Sequence, residues 1–254
     1  MTTDVLEKPE GDSKDPESTK SAEKTRLLFC GDLHGDIERA KELIQIAKEH
    51  KCSEIVQAGD WGYIWPRDDS HKNLSNILTS YDMSMRFCDG NHDTHPVLRK
   101  FSRDTDNNVA PGLTYQFRGS KKTVGSVTMV FLGGAPSIDR AWRTTGISWW
   151  PEEEITEQDV EEALKHKGEH IDVLVTHDAA IAPPGIKDGG SASFSYRAAQ
   201  STAFIMKVIE ELKPKLHIHG HYHYRYQGLI KGTVVKGLAS NIDSLLDNYL
   251  IYEK

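Results

Sequence analysis

The 254-residue chain is 37% hydrophobic and 27% charged, the balance of an ordinary globular protein, and its formal net charge is −7. That acidic excess is the opposite of the basic footprint by which proteins grip nucleic-acid phosphates, so non-specific DNA or RNA binding is disfavoured, although a local basic patch is not excluded. The three cysteines, Cys30, Cys52 and Cys88, are odd in number and two lie in apolar runs, which argues against a disulfide framework.

Residues 1–24 are rich in Lys, Glu, Asp, Ser, Thr and Pro, with too few apolar side chains to offset the entropy of ordering them, and read as a disordered tail. The tail lacks the apolar centre of a signal peptide. Nowhere does the chain show the roughly 18 consecutive apolar residues of a membrane span, so the expected location is cytoplasmic and no membrane partner is expected. From Arg26 the pattern alternates: RLLFC, a turn, the helical stretch IERAKELIQIAKEH, the apolar run EIVQAG, irregular sequence, then SMRFCDG. In the helical stretch Ile37, Ala40, Ile44 and Ala47 form one apolar stripe, and Asp36 is placed to cap it.

The middle of the chain changes character. LTYQF, SVTMVFLGG and, near the end, GLI and GTVVKGLAS are short, β-branched or aromatic and punctuated by Gly, which predicts strands without intervening helices. Helices are predicted over about 156–167, with a capping-box-like TEQD start, and about 195–212, ending before Pro214. Each leads into an apolar strand, IDVLVTH and LHIHG. No repeat or linker divides residues 25–254, which read as a single α/β domain.

Five short pieces, GDLHG, GDWGY, GNHD, THDA and GHYH, each follow an apolar run, where an α/β sheet presents side chains at the carboxyl ends of its strands. In GDLHG, Asp32 and His34 alternate along what reads as extended backbone, so that both point to one side; His221 and His223 repeat the spacing. Asp60 offers two oxygens that can bridge two cations, Asn91 a carbonyl oxygen and His177 an imidazole. Singly, each has an ordinary explanation as a turn or core residue. Together, with four of twelve histidines between His217 and His223, they would leave costly polar groups unsatisfied without a cation. The donor set, nitrogen and oxygen without thiolate, suits Mn²⁺, Fe²⁺ or Zn²⁺. Asp93 reads as a helix N-cap before Pro96 and is left outside the site.

The ordered set D-x-H, G-D, G-N-H-D, H, G-H-x-H resembles the calcineurin-like metallophosphoesterase family from Asp32 to His223. The resemblance implies a four-layer α/β sandwich of two packed mixed β-sheets flanked by helices, with two divalent metal ions at the strand carboxyl ends. It puts one ion on Asp32, His34 and His223 and the other on Asn91, His177 and His221, with Asp60 between them. His92 resembles the family's histidine that gives a proton to the leaving oxygen or stabilises phosphoryl charge, while His217 and His219 match no ligand position and are expected to be structural. The protein-phosphatase branch continues its second motif as G-D-x-x-D-R-G. Here Tyr63, Ile64 and Trp65 stand instead, which argues against a Ser/Thr protein phosphatase.

The implied activity is a binuclear metal-dependent phosphoric ester hydrolase acting on a small phosphodiester or phosphomonoester through a metal-bridging hydroxide, the G-N-H-D form leaning toward the diester. The charge of two ions against two carboxylates, about +2, favours an anionic substrate. Arg140 and Arg143, in a Trp-rich loop between two motifs, are candidates to clamp its phosphate. Two rivals share the fold: a nuclease acting on nucleic-acid ends, which needs a basic groove, and a non-catalytic binding scaffold, which needs neither His92 nor a full ligand set.

Overall fold

The computed structural model describes residues 24–63, 69–100, 107–181, 183 and 192–254. The predicted tail, apart from Lys24, lies outside the described residues, as do Ile64 and Trp65. The first half of the chain runs β1 (Arg26–Cys30), α1 (Ile37–Glu49), β2 (Glu54–Gln57), α2 (Ser70–Ser80), β3 (Met85–Phe87), α3 (His95–Leu98), β4 (Asn108–Ala110) and β5 (Leu113–Tyr115). The second half runs β6 (Lys121–Val124), β7 (Val127–Leu132), α4 (Glu157–Leu164), β8 (Val173–Thr176), α5 (Ala192–Leu212), β9 (Leu216–His219), β10 (Tyr226–Ile230), β11 (Thr233–Gly237), α6 (Leu245–Asn248) and β12 (Tyr249–Glu253).

The strands form two six-stranded sheets, ordered β12-β1-β2-β3-β5-β4 and β10-β11-β9-β8-β7-β6. In the first, β1, β2, β3 and β5 are parallel and the edge strands β12 and β4 antiparallel. The second repeats the plan, with β7, β8, β9 and β11 parallel between antiparallel β6 and β10. Alternation of side chains sorts each strand between two cores. Leu27 and Phe29 of β1 face Val56, Met129, Phe131, Val175 and Ile218 between the sheets. Leu28 and Cys30 face Ala40, Leu43, Ile44 and Ala47 of α1 on the outside. On the far side Val130, Leu132 and Leu174 meet Ile205, Val208 and Ile209 of α5. The result is the four-layer arrangement that the family resemblance implies.

Asp36 caps α1, accepting from the Arg39 backbone N–H at 3.0 Å. Thr156 and Asp159 close the predicted capping box at the start of α4. That helix stops at Leu164, short of 167, in a turn leading to Gly168, whose φ of +86° suits glycine. α2 corrects the reading of irregular sequence after Asp60. Its buried face is only Leu74, Ser75 and Leu78, and Asp69 makes no side-chain capping bond, so neither stripe nor cap announces it. All three cysteines are free and buried, and no helix among the described residues is long and apolar enough to cross a membrane.

Asp172, at the start of β8, is fully buried beneath the chain's end. It accepts from Lys254 Nζ (2.7 Å), the Thr128 N–H (2.9 Å) and His170 Nε2 (3.0 Å). Burial alone would raise its pKa, but these partners outweigh burial and hold it at about 2. A depressed carboxyl stabilises the fold above its unfolded pKa, about 3.9, and loses that contribution as pH falls through its folded value. Because the lysines around it are partly exposed, screening trims the figure, and Asp172→Asn is expected to cost about 1–2 kcal/mol at pH 7. Urea unfolding should show the two proteins converging toward pH 2; a constant gap would contradict the assignment.

Candidate metal centre

Strands β1, β2 and β3 of one sheet and β8 and β9 of the other end at a common edge. The loops leaving them carry Asp32 and His34, Asp60, Asn91 and His92, His177, and His221 and His223. Asp32, His34 and His223 offer ligand atoms within 4.8 Å of one another, and so do Asp32, Asp60 and His177. The Asn91 Oδ1 lies 3.0 Å from His177 Nε2. The His221 ring stands beside His177, centroids 5.0 Å apart, but its nitrogens belong to neither cluster; its backbone N–H donates to Asp32 Oδ1 at 3.0 Å.

The convergence is not achieved by extended alternation, as the D-x-H spacing suggested. His34 (φ 46°), Asp60 (54°), His221 (67°) and His223 (51°) all adopt left-handed backbone, four of the nine described non-glycine residues that do. Such conformations cost energy in an L-residue and gather where surrounding structure forces side chains to a point. Gly220 and Gly90 answer a different need, which is space. A Cβ on Gly220 would lie 2.1 Å from Asp32 Oδ1, and one on Gly90 2.2 Å from Asp60 Oδ1.

Hydrogen-bond polarity shows what the centre accommodates. His177 Nδ1 lies 2.9 Å from the Ala58 carbonyl, which accepts its proton and leaves Nε2 turned toward two acceptors, Asp60 Oδ2 at 3.4 Å and Asn91 Oδ1 at 3.0 Å. His34 Nε2 and His223 Nε2 face each other at 3.4 Å. Asp32 Oδ2 is buried without an aligned hydrogen bond, although His223 Nε2 is only 2.9 Å away. Buried carboxylate and amide oxygens gathered with imidazole nitrogens in this way call for positive charge among them, and nitrogen and oxygen donors of this kind fit borderline-to-hard divalent ions.

The charges agree. Burial would lower the His177 pKa, yet the Asp60 and Asp32 carboxylates overcome it and raise it to about 10. Burial would raise Asp60, but the charge and hydrogen bond of His177, then His92 and His34, hold it well below the usual carboxylate range. Burial lowers His34 and His221 toward the neutral, ligating form.

Asp93 is not a helix cap, as its sequence context suggested; Thr94 occupies that position before α3. Its buried carboxyl accepts from the N–H groups of Trp61 (3.1 Å), Gly62 (2.8 Å) and Gly90 (2.8 Å), tying the Asp60 loop to the Asn91 loop. Burial, with the Asp60 charge, pushes its pKa up to about 7. No sequence signal distinguishes this role, because backbone donors leave no side-chain pattern. Tyr63 is buried, its hydroxyl donating to the Asp36 carbonyl at 2.5 Å. His217 lies 2.7 Å from Thr176 Oγ1 and His219 2.7 Å from the Tyr226 hydroxyl, both fully buried.

The arginine loop divides in two. Arg140, exposed, lies over the Trp149 ring at 4.0 Å. Arg143 turns inward: Nε donates to the Ser148 carbonyl (2.6 Å), Nη1 to Ser137 Oγ (2.5 Å) and Nη2 to the Asn91 carbonyl (3.1 Å). A phosphate clamp at Arg143 would have to exchange these bonds.

Several solved structures share the architecture. A dimetal phosphatase from Danio rerio superposes with a TM-score of 0.57 at 13% identity, over 89% of this chain and 91% of its own. A protein from Thermus thermophilus gives 0.57 at 13% identity, over 85% and 89%. GAP50, the anchor in the inner membrane complex of Plasmodium, gives 0.53 at 15% identity, over 91% and 81%. At such identities the likeness is one of fold. No curated protein matches the chain by sequence. The sequence model of the calcineurin-like phosphoesterases matches residues 25–225, which contain all seven candidate ligands and His92. The chain belongs to the calcineurin-like phosphoesterase family.

Proposed function

We propose that this protein hydrolyses a small phosphodiester or phosphomonoester, the diester favoured, at a pair of divalent ions held by Asp32, His34 and His223 on one side and Asn91, His177 and His221 on the other, with Asp60 shared. One observation supports this reading: histidine nitrogens, two carboxylates and the Asn91 amide oxygen, from five strand ends, face one another around a common point. Bound there, the ions supply Lewis acidity and a water of lowered pKa.

The protein's own groups do the rest. The Ala58 carbonyl fixes the His177 tautomer, and the His92 N–H, donating to Asp60 Oδ1 at 2.7 Å, leaves Asp60 Oδ2 facing inward. The His92 ring, 5.6 Å from the His34 ring centre and partly exposed, is assigned to protonate the leaving oxygen. Arg140, exposed on the Trp149 face, is assigned to meet a phosphate's outer oxygens.

The test is a comparison of bis(p-nitrophenyl) phosphate with p-nitrophenyl phosphate, using Mn²⁺-loaded protein. Hydrolysis of the diester, lost on exhaustive chelation and restored by Mn²⁺, is the expected result. Turnover that survives chelation contradicts the proposal, and inertness toward both esters favours a binding scaffold.

A further inference from the structure

We propose that Ser137, Glu153 and Arg143 form a hydrogen-bond relay that fixes which end of the Asn91 amide faces the metal centre, making them positioning residues for a ligand. The inference rests on reading Asn91 as a ligand. An asparagine can coordinate a cation only through its oxygen, and the two ends of its amide are nearly alike in shape, so something must decide between them.

The loop from β7 to α4 supplies that decision. Asn91 Nδ2 donates to Ser137 Oγ at 3.1 Å. Ser137 Oγ has a single proton, which goes to Glu153 Oε2 at 2.7 Å, while the Ser137 N–H donates to Glu153 Oε1 at 2.8 Å. Arg143 Nη1 donates to the same Ser137 Oγ at 2.5 Å. With its proton committed and one lone pair taken by Arg143, the hydroxyl can only accept from Asn91. Asn91 must therefore present its NH₂ to Ser137 and turn Oδ1 toward His177 Nε2, 3.0 Å away. Arg143 Nη2 secures the backbone of the same residue, donating to the Asn91 carbonyl at 3.1 Å.

The polarity of the relay is set at its far end, by Glu153. Its side chain and that of Ser137 are fully buried, and Asn91 is 3% exposed, so water does not compete for these bonds. Burial pushes the Glu153 carboxyl above its usual range, and the Ser137 hydroxyl and amide, with Arg143 Nη1 at 3.4 Å, pull it back toward the anion. Arg197 Nη1, from α5, lies 4.0 Å from Glu153 Oε1 and adds to this. The anion only accepts, and that direction passes through Ser137 to Asn91.

Glu153→Gln keeps the shape and reverses the polarity. With the Ser137 N–H still donating to the amide oxygen, the new NH₂ faces Ser137 Oγ, releases its proton toward Asn91 and favours the flipped amide, nitrogen toward the cation. Mn²⁺ titration of the metal-free full-length protein should then show one of two sites weakened about 10–100-fold, the range typical of groups that orient ligands. Ser137→Ala, which removes the acceptor, should weaken the same site. The discriminating variant is Asn91→Asp in the Glu153→Gln background. A carboxylate has oxygen at both ends and welcomes the released hydroxyl proton, so affinity should recover, whereas Asn91→Asp alone sets two carboxylates against one proton and should bind less well than the double variant. A merely structural role for Glu153 produces no such rescue.

Asn91→Ala separates the two levels. If it weakens one Mn²⁺ site while Glu153→Gln and Ser137→Ala bind as wild type, the relay is overturned and Asn91 remains a ligand. If Asn91→Ala leaves both sites unchanged, the ligand assignment itself falls.

Discussion

Asp60→Asn is expected to lower kcat for an aryl phosphodiester by about 10³-fold or more, on the order of 4 kcal/mol of transition-state stabilisation. Asp60 Oδ1 is already occupied, accepting from the His92 N–H at 2.7 Å, while Oδ2 faces His177 Nε2 at 3.4 Å and His34 Nε2 at 3.9 Å. An amide of the same shape must turn its NH₂ either to the His92 N–H, donor against donor, or to the cations, charge against charge. In both orientations the centre also loses one of its two buried carboxylates. Bound Mn²⁺ should fall below two per chain with the far-ultraviolet circular dichroism unchanged. Turnover within tenfold of wild type would remove Asp60 from its shared position.

His92→Ala should behave differently, retaining two Mn²⁺ per chain but losing about 10²–10³-fold in kcat, the usual scale of proton transfer by a placed side chain. The bond from this residue to Asp60 runs through its backbone N–H, so truncating the side chain leaves that support in place. The leaving group sharpens the test. p-Nitrophenolate departs without help, whereas an alkoxide needs a proton, so the deficit should be small for the nitrophenyl diester and full for an alkyl ester. An equal deficit for both points to charge stabilisation, and loss of metal points to a positioning role.

Much of this was legible in the sequence because strand ends in an α/β fold place side chains predictably, and Asp32, Asp60, Asn91, His177, His221 and His223 each follow an apolar run. Their meeting did not require knowing the loop geometry, and that geometry was misread. The left-handed backbone of His34, Asp60, His221 and His223 is imposed by packing, and nothing in D-x-H or G-H-x-H spacing reveals it. Asp93 escaped for a related reason, since its partners are backbone amides, two on the distant Asp60 loop and one on its own. β12, which pairs antiparallel with β1 through Phe29 and Leu250, went unseen because YLIYE is a short, half-buried edge strand at the chain's end. α2 was hidden by its polarity. The inward turn of Arg143 shows the limit of reading arginines by type, because a guanidinium serves a backbone carbonyl as readily as a phosphate.

The most direct measurement is anomalous scattering from crystals of the Mn²⁺-loaded protein. Two peaks flanking the Asp60 carboxylate, one among Asp32, His34 and His223 and the other among Asn91, His177 and His221, are the expected result. A single peak, or peaks away from Asp60, would contradict a shared binuclear centre and the hydrolysis argued from it.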